Sequence, residues 1–257
     1  MIEPVAVVAW VMLVGLVITA PLAAVVGVPS SLHGSAVLWL ALSGAGNVGG
    51  LVLTYAAMRI GQVALVAPLV STEGAIAALI ALLAGETVAP SVGITLAVIV
   101  VGVSLSAVPA DDQPEQHRAH HPRAVLLAVC AALTFGASLY ATARAGASLP
   151  AVWVVLSARV IGTVALALPL ALTGRLQLTR RAIPLVLVSG VCEVLGVLSF
   201  TSGSRHGIAV AAVLSSQFAA LSGIAAYFLF RERLSRIQLA GVLTVIAGVA
   251  VLSALRA

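Results

Sequence analysis

The stretch SGVCEVLGVLSFTSGSRHG, residues 189–207, decides the fold, because the chain carries it twice. Moved back 146 positions without a gap, it lies over SGAGNVGGLVLTYAAMRIG, residues 43–61. Ser189–Gly190 falls on Ser43–Gly44, Gly196 on Gly50, Arg205 on Arg59 and Gly207 on Gly61. The register continues outward, with Glu232 on Glu86, Gly248–Val249 on Gly102–Val103, and Pro150 on Pro4. Apolar matches between two apolar segments carry little weight, so the Arg, Glu and Gly pairs are what establish an internal duplication.

Composition says where the duplicated unit lives. The chain has 257 residues, is 61% hydrophobic and only 8% charged, and has a mean hydropathy of +1.19. A soluble domain of this length lacks the polar residues to cover its exterior with such a composition. Lipid is the remaining solvent, and a spanning helix needs about 20 predominantly apolar residues. The net charge of +5 and pI near 10.2 come entirely from Arg, since none of the 13 basic residues is Lys. In short connections between apolar runs these Arg read as membrane-flanking charge rather than a nucleic-acid surface.

In chain order, apolar runs predict spans over 4–26, 35–58, 61–84 and 91–108. The first is too long for a signal-peptide core and is led by Glu3 rather than a basic cluster. A polar, Pro-bounded segment at 109–122 then links two halves. Its His117, His120 and His121 have no Cys or matched partner nearby, so a solvated linker is the reading and no metal or other cofactor is expected. Further spans are predicted over 123–143, 150–172, 183–204, 207–230 and 236–255.

The fold class is thus an all-α membrane protein, a polytopic bundle of nine spans. Residues 1–108 form a first repeat of four spans, 109–122 the linker, and 123–257 a second repeat of five. The duplication maps spans one to four onto six to nine, so span five has no counterpart and the first copy lacks its first helix. Either that helix was lost or Met1 is an internal start. Five is odd, so tandem five-helix units sit upside down relative to each other. Inverted repeats place a substrate site near the midplane, reached alternately from either side.

The residues also resemble a known family. Gly207-Ile-Ala, then Phe230-Arg-Glu-Arg-Leu-Ser-Arg-Ile-Gln-Leu-Ala-Gly241 and Gly248-Val249, looks like the ending of an EamA-like repeat of the drug/metabolite transporter superfamily. That pattern is a helix ending in Glu (Glu232), a Gln six residues on (Gln238), a Gly three later (Gly241), then Gly-Val. The first copy has Glu86, Gly102–Val103 and a matching Pro68, but departs at Val92 and Thr95, its Gly standing at 93. The family's basic residue in the second helix of each repeat is present only as Arg159. The resemblance covers nearly the whole chain and implies ten helices.

A central charge costs about 2.5–3.5 kcal/mol on insertion scales, so polar groups at membrane depth need a reason. Glu73, Arg159 and Glu193 fall about nine to twelve residues into their spans, roughly mid-depth at ~1.5 Å per residue. Asn47, Ser71, Thr72, Ser215, Ser216 and Gln217 lie at similar depth, and Tyr55 and Tyr140 nearer span ends. Asn47 and Glu193 are equivalent positions in the two copies, as are Ser71 and Gln217. A pseudo-two-fold axis makes equivalent positions line one central cavity from opposite sides. The candidate substrate- and ion-binding set is therefore Glu73, Glu193, Asn47, Gln217, Arg159 and Tyr140, with no catalytic residue.

Each member also has a structural reading. Ser and Thr bond back to their own helix, Asn and Gln pin helices together, and Tyr at a helix end anchors the interface. Glu73 or Glu193 can form a buried pair with Arg159. Gly46-Asn-Val-Gly-Gly50 has a small-xxx-small spacing that allows close helix approach. Trp10, Trp39 and Trp153 read as belt or packing residues, and Cys130 and Cys192 lie within spans.

No HExxH, Walker loop, GxSxG or Cys-rich metal spacing occurs, which argues against an enzyme or an ATP-driven pump. The reading is a secondary transporter moving a small metabolite or drug-like molecule by alternating access, with proton coupling as an option. A non-transporting membrane scaffold is the alternative, and an intramembrane enzyme is disfavoured. Expected partners are the lipid bilayer, a small-molecule substrate and protons, not nucleic acid, with a homodimer left open. The expected location is the cell membrane, as a multi-pass protein.

Arg placement gives an orientation. Nine Arg (59, 118, 123, 175, 180, 181, 231, 233 and 236) fall on the N-terminal side of the membrane, and three (144, 205 and 256) on the other. Arg-rich short loops prefer the cytoplasm, which puts the C-terminus outside, whereas the family resemblance implies a cytoplasmic C-terminus. We follow the Arg count, a property of this chain. A C-terminal reporter that is active only in the cytoplasm is expected to stay silent; a signal would refute this orientation.

Overall fold

The computed structural model describes residues 4–61, 63–106, 122–216 and 236–256. Every regular element among them is helical, as lipid demands: with no water to satisfy free N–H and C=O groups, the backbone must bond within its own segment. The helices are α1 (Pro4–Val26), α2 (Ser35–Ile60), α3 (Val63–Val70), α4 (Glu73–Leu83), α5 (Pro90–Ser106), α6 (Pro122–Ser148), α7 (Ala151–Gly162), α8 (Leu168–Leu172), α9 (Ile183–Gly203), α10 (Ile208–Ser215) and α11 (Arg236–Arg256). A π-helical turn, Thr163–Ala167, joins α7 to α8, so the two form one apolar span. Five helical stretches among the described residues are long and apolar enough to cross a membrane: Val5–Val26, Ser35–Ile60, Pro122–Ser148, Ala151–Leu172 and Arg180–His206. Large apolar side chains such as Val25 (88% exposed), Leu83 (80%) and Leu185 (70%) cover the outside, a surface suited to lipid.

Two expected spans differ in detail. The span expected over 61–84 is two helices, α3 and α4, separated by a turn at Ser71–Thr72. In the span expected over 207–230 an eight-residue helix, α10, is described; residues 217–235 lie outside the described residues, as does the 109–121 part of the linker with its three His. At both helix ends the hydroxyls turn back on their own backbone. Ser71 Oγ donates to Ala67 O (2.8 Å) and Thr72 Oγ1 to Leu69 O (2.7 Å). Ser215 Oγ donates to Ala212 O (2.9 Å) and Ser216 Oγ to Val213 O (3.0 Å). These bonds add partners for carbonyls at the helix ends, so the backbone can stop within the membrane without leaving them bare.

The duplication appears in the packing. α5 and α11 start 146 residues apart, and α1 and α7 start within one residue of that register, at Pro4 and Ala151. α1 packs on α9 and α2 on α7, contacts that interchange when the copies are swapped; α1 with α7 and α5 with α11 pair a helix with its own counterpart. The glycines identified by the repeat make these crossings close. A Cβ on Gly248 would meet Ile99 Cγ1 at 2.5 Å, and one on Gly102 would meet Val245 Cγ2 at 3.0 Å. Ile99 and Val245 are themselves equivalent positions. Likewise a Cβ on Gly190 would lie 2.6 Å from Val14 Cγ1 on α1, and one on Gly44 would overlap Ile161 on α7.

α6, the helix without a counterpart, runs along α2. Gly46 and Gly50, the small-xxx-small pair, face it: a Cβ at Gly46 would meet Ser138 Cβ at 2.9 Å, and one at Gly50 would meet Phe135 Cδ1 at 2.6 Å. Ser138 Oγ donates to Ser43 O (2.7 Å), and the hydroxyls of Ser43 and Thr142 lie 2.6 Å apart.

Filling these crossings should therefore loosen the bundle. Gly248→Leu and Gly102→Leu are each expected to cost about 1–3 kcal/mol by overpacking, read as a lower melting temperature of the purified protein. Gly93→Ala, which faces open space, should melt like the parent. A Gly248→Leu protein with unchanged melting would contradict the crossing.

Candidate functional site

Where the small residues give way to larger ones, the helices part. A cavity of about 470 Å³ opens between α2, α4 and α6 on one side and α9 and α10 on the other. α2 contributes Asn47, Leu51, Thr54, Tyr55 and Met58, the recurrence of one helical face. α9 contributes Glu193, Gly196, Val197 and Phe200 by the same spacing. Asn47 and Glu193, equivalent in the repeat, thus line one cavity from the two copies. Phe135, Ser138, Leu139 and Thr142 of α6, Val70, Glu73 and Ser215 complete the described wall.

Glu193 does not stand alone. Its Oε1 lies 2.8 Å from Arg159 Nη1, and the guanidinium is 1% exposed while the Glu193 side chain keeps 28%. Arg159 is threaded between α1 and α9. Its Nη1 also lies 3.1 Å from Met12 Sδ, and its Cδ occupies the space a Cβ on Gly15 would need. Arg159 Nε is buried without a hydrogen-bond partner among the described residues. Arg159 therefore reaches the site through Glu193 rather than as part of the cavity wall.

Glu73 is placed by the helix break. As the first residue of α4 it follows the Ser71–Thr72 turn, which swings its side chain into the cavity. Among the described residues it has no ion-pair partner. Asn47 and Thr54 line the wall, and behind it Asn47 Oδ1 and Thr54 Oγ1 are buried without a hydrogen bond among the described residues.

The remaining candidates separate. Tyr140 does not line the cavity; its ring packs edge-on against Trp39, with centroids 5.9 Å apart at 83°, and Arg144 lies over Trp39 at 5.7 Å. On α6 the cavity face passes through residues 138, 139 and 142, and position 140 turns away from it. Tyr55, expected as an anchor, lines the cavity, as do Phe135 and Phe200. Counting helical steps from Asn47 would have found Tyr55, at i+8. Gln217 lies outside the described residues, and its counterpart Ser71 is buried at a separate small crevice. Trp153 Nε1 donates to Gly27 O (2.8 Å) at a helix end, and Cys130 and Cys192 are free thiols.

One end of the bundle is held by two side chains that the repeat had marked. α4 closes with Gly85 at φ 97 and the bonds Gly85 N–H to Leu82 O and Glu86 N–H to Ala81 O, a Schellman stop. This directs Glu86 at the N-terminus of α10, where its carboxylate accepts from the backbone N–H of Ile208 (3.1 Å) and Ala209 (3.3 Å). Gly207 at φ 145 makes the preceding turn. Arg205 donates to Gly146 O (3.0 Å) and Leu149 O (3.1 Å), tying that turn to the end of α6.

Comparison with known proteins agrees with the fold. The family model described as the EamA-like transporter family matches residues 1–108 and 122–254. A solved structure described only as a crystal structure of a protein superposes with a TM-score of 0.77 at 16% identity, covering 99% of this chain and 88% of that one. At that identity the likeness shows the fold alone. No curated protein matches the chain.

Breaking the ion pair from one side should be worse than removing it whole. Arg159→Met leaves Glu193 at membrane depth without its partner, an error that costs about 3–5 kcal/mol when fully buried; the partial exposure of Glu193 puts the expected loss at the lower end. Adding Glu193→Gln to Arg159→Met should restore part of the melting temperature. Equal or greater destabilisation of the double variant would show the two side chains act independently.

Proposed function

We propose that this chain, which belongs to the EamA-like transporter family, is a secondary transporter that carries a small molecule across the cell membrane by alternating access, coupled to protons at its cavity carboxylates. The observation that carries the reading is the convergence of Glu73 from the first copy and Glu193 from the second on one cavity at the copy interface. Inverted repeats bind substrate at such an interface and rock about it, and an intramembrane ionisable residue is by default functional.

The two carboxylates have different parts. Arg159 balances the charge of Glu193, so that pair fixes the position of α9 and presents one carboxylate oxygen toward the cavity. Glu73 has no such partner among the described residues and exchanges its proton between the two access states. The groups facing it across the cavity are Glu193 and Tyr55; α6 and α10 bring Phe135, Ser138, Leu139, Thr142 and Ser215, none of which titrates. A proton on Glu73 removes the uncompensated charge, which lets an empty cavity reorient; substrate binding displaces it.

Transport into liposomes under an imposed pH gradient tests this. Glu73→Gln keeps size and hydrogen bonding but cannot titrate, so transport should stop or lose its pH dependence while the protein still folds. Glu193→Gln should slow transport and lower stability through the stranded Arg159. Normal transport by both variants across the pH range would make the carboxylates packing groups and refute the coupling.

A further inference from the structure

We propose that the molecule carried is a primary or secondary ammonium with an aromatic or branched apolar body, an assignment that rests on the transport reading above. The charge inventory comes first. The described wall holds two carboxylates and no cationic side chain, because the guanidinium of Arg159 is 1% exposed and already occupied by Glu193 and the Met12 sulfur. With Glu193 balanced, Glu73 leaves the described wall one negative charge in excess. An anion entering would meet that charge in a low-dielectric site with nothing to offset its desolvation, and a monocation is the complement.

The hydrogen-bonding groups narrow the class further. The Glu73 carboxylate lines the wall with no ion-pair partner among the described residues and accepts N–H donors. An ammonium that carries its own N–H groups gains a charge-assisted bond to Glu73. A quaternary ammonium offers the charge but no donor, and so leaves that acceptor unpaired. Polar groups come from α2 (Asn47, Thr54, Tyr55), α4 (Glu73), α6 (Ser138, Thr142) and α9 (Glu193), while Phe135, Val197 and Phe200 supply aromatic and aliphatic surface among them. One molecule therefore meets an acceptor for its ammonium and apolar surface for its body, in a volume typical of sites for small ligands.

Three probes of similar body test it on the full-length protein: 2-phenylethylamine, 3-phenylpropionate and phenylethyltrimethylammonium. Calorimetric binding at neutral pH should favour 2-phenylethylamine by about tenfold or more over either analogue, the size expected when a buried acceptor or charge loses its partner. Glu73→Gln should erase the preference over the carboxylate and shrink the preference over the quaternary ion. Carboxylate or quaternary binding as tight as the amine's, no binding of the amine at all, or amine binding indifferent to Glu73→Gln overturns the assignment. Liposomes with an imposed pH gradient and a mixed metabolite load separate this from the transport reading. If another class of molecule moves and amines do not, the assignment fails and the transport reading stands. If the amine binds with the expected preferences and nothing moves, transport fails and the binding class stands.

Discussion

In lipid there is no hydrophobic gain in bringing two apolar helices together, so assembly depends on how closely their backbones can approach. This chain meets that constraint with glycine and alanine. Gly44, Gly190, Gly102 and Gly248 set the crossings between copies, and Gly46 and Gly50 set α6 against α2. Ala57, Ala77, Ala128, Ala131, Ala145 and Ala212 fill the interior that these approaches leave. The cavity is the place where the same rule is relaxed. Along α2, Gly46 and Gly50 face α6, while Leu51, Tyr55 and Met58, around the helix from them, hold α9 off. One helix thus carries an adhesive edge and a spacing edge, and the site follows from their angle.

Charge is handled by the same economy. Arg159 is accommodated because Gly15 leaves room for its stem and Glu193 answers its charge. Glu86 lies at a helix junction and spends its carboxylate on the two N–H groups that begin α10. Glu73 alone among these three acids has neither an ion pair nor a backbone partner among the described residues. That contrast separates structural from chemical carboxylates more sharply than depth does.

Much of this was legible in the sequence, and for a physical reason. Lipid permits few architectures, so apolar runs and a repeat register constrain the fold strongly. Two of the Gly pairs that aligned the copies, Gly44 with Gly190 and Gly102 with Gly248, are at the crossings, since a position that admits no Cβ tolerates little else. Of the other two pairs, Gly196 faces open space and Gly207 makes a turn. Two things were hidden. The stop at Ser71–Thr72 was not visible, because hydroxyls that bond to their own helix occur in unbroken helices too. Azimuth was hidden for Tyr140: helical steps from Asn47 reach Tyr55, but only the packing of α6 against α2 and α4 says that Tyr140 faces Trp39 and not the cavity.

The symmetry of the crossings bears on energetics. If the copies were identical, swapping their conformations would turn a protein open to one side into its mirror in function, and both would have the same free energy. The resting population would then be even, with no preferred face. In this chain the copies differ at most aligned positions, Asn47 against Glu193 and Thr54 against Phe200 among them, and α6 has no counterpart. Under the proposed alternating access, those differences would set the bias between the two states. At about 1.4 kcal/mol per tenfold in population, even one unshared ion pair would then be enough to favour one face over the other.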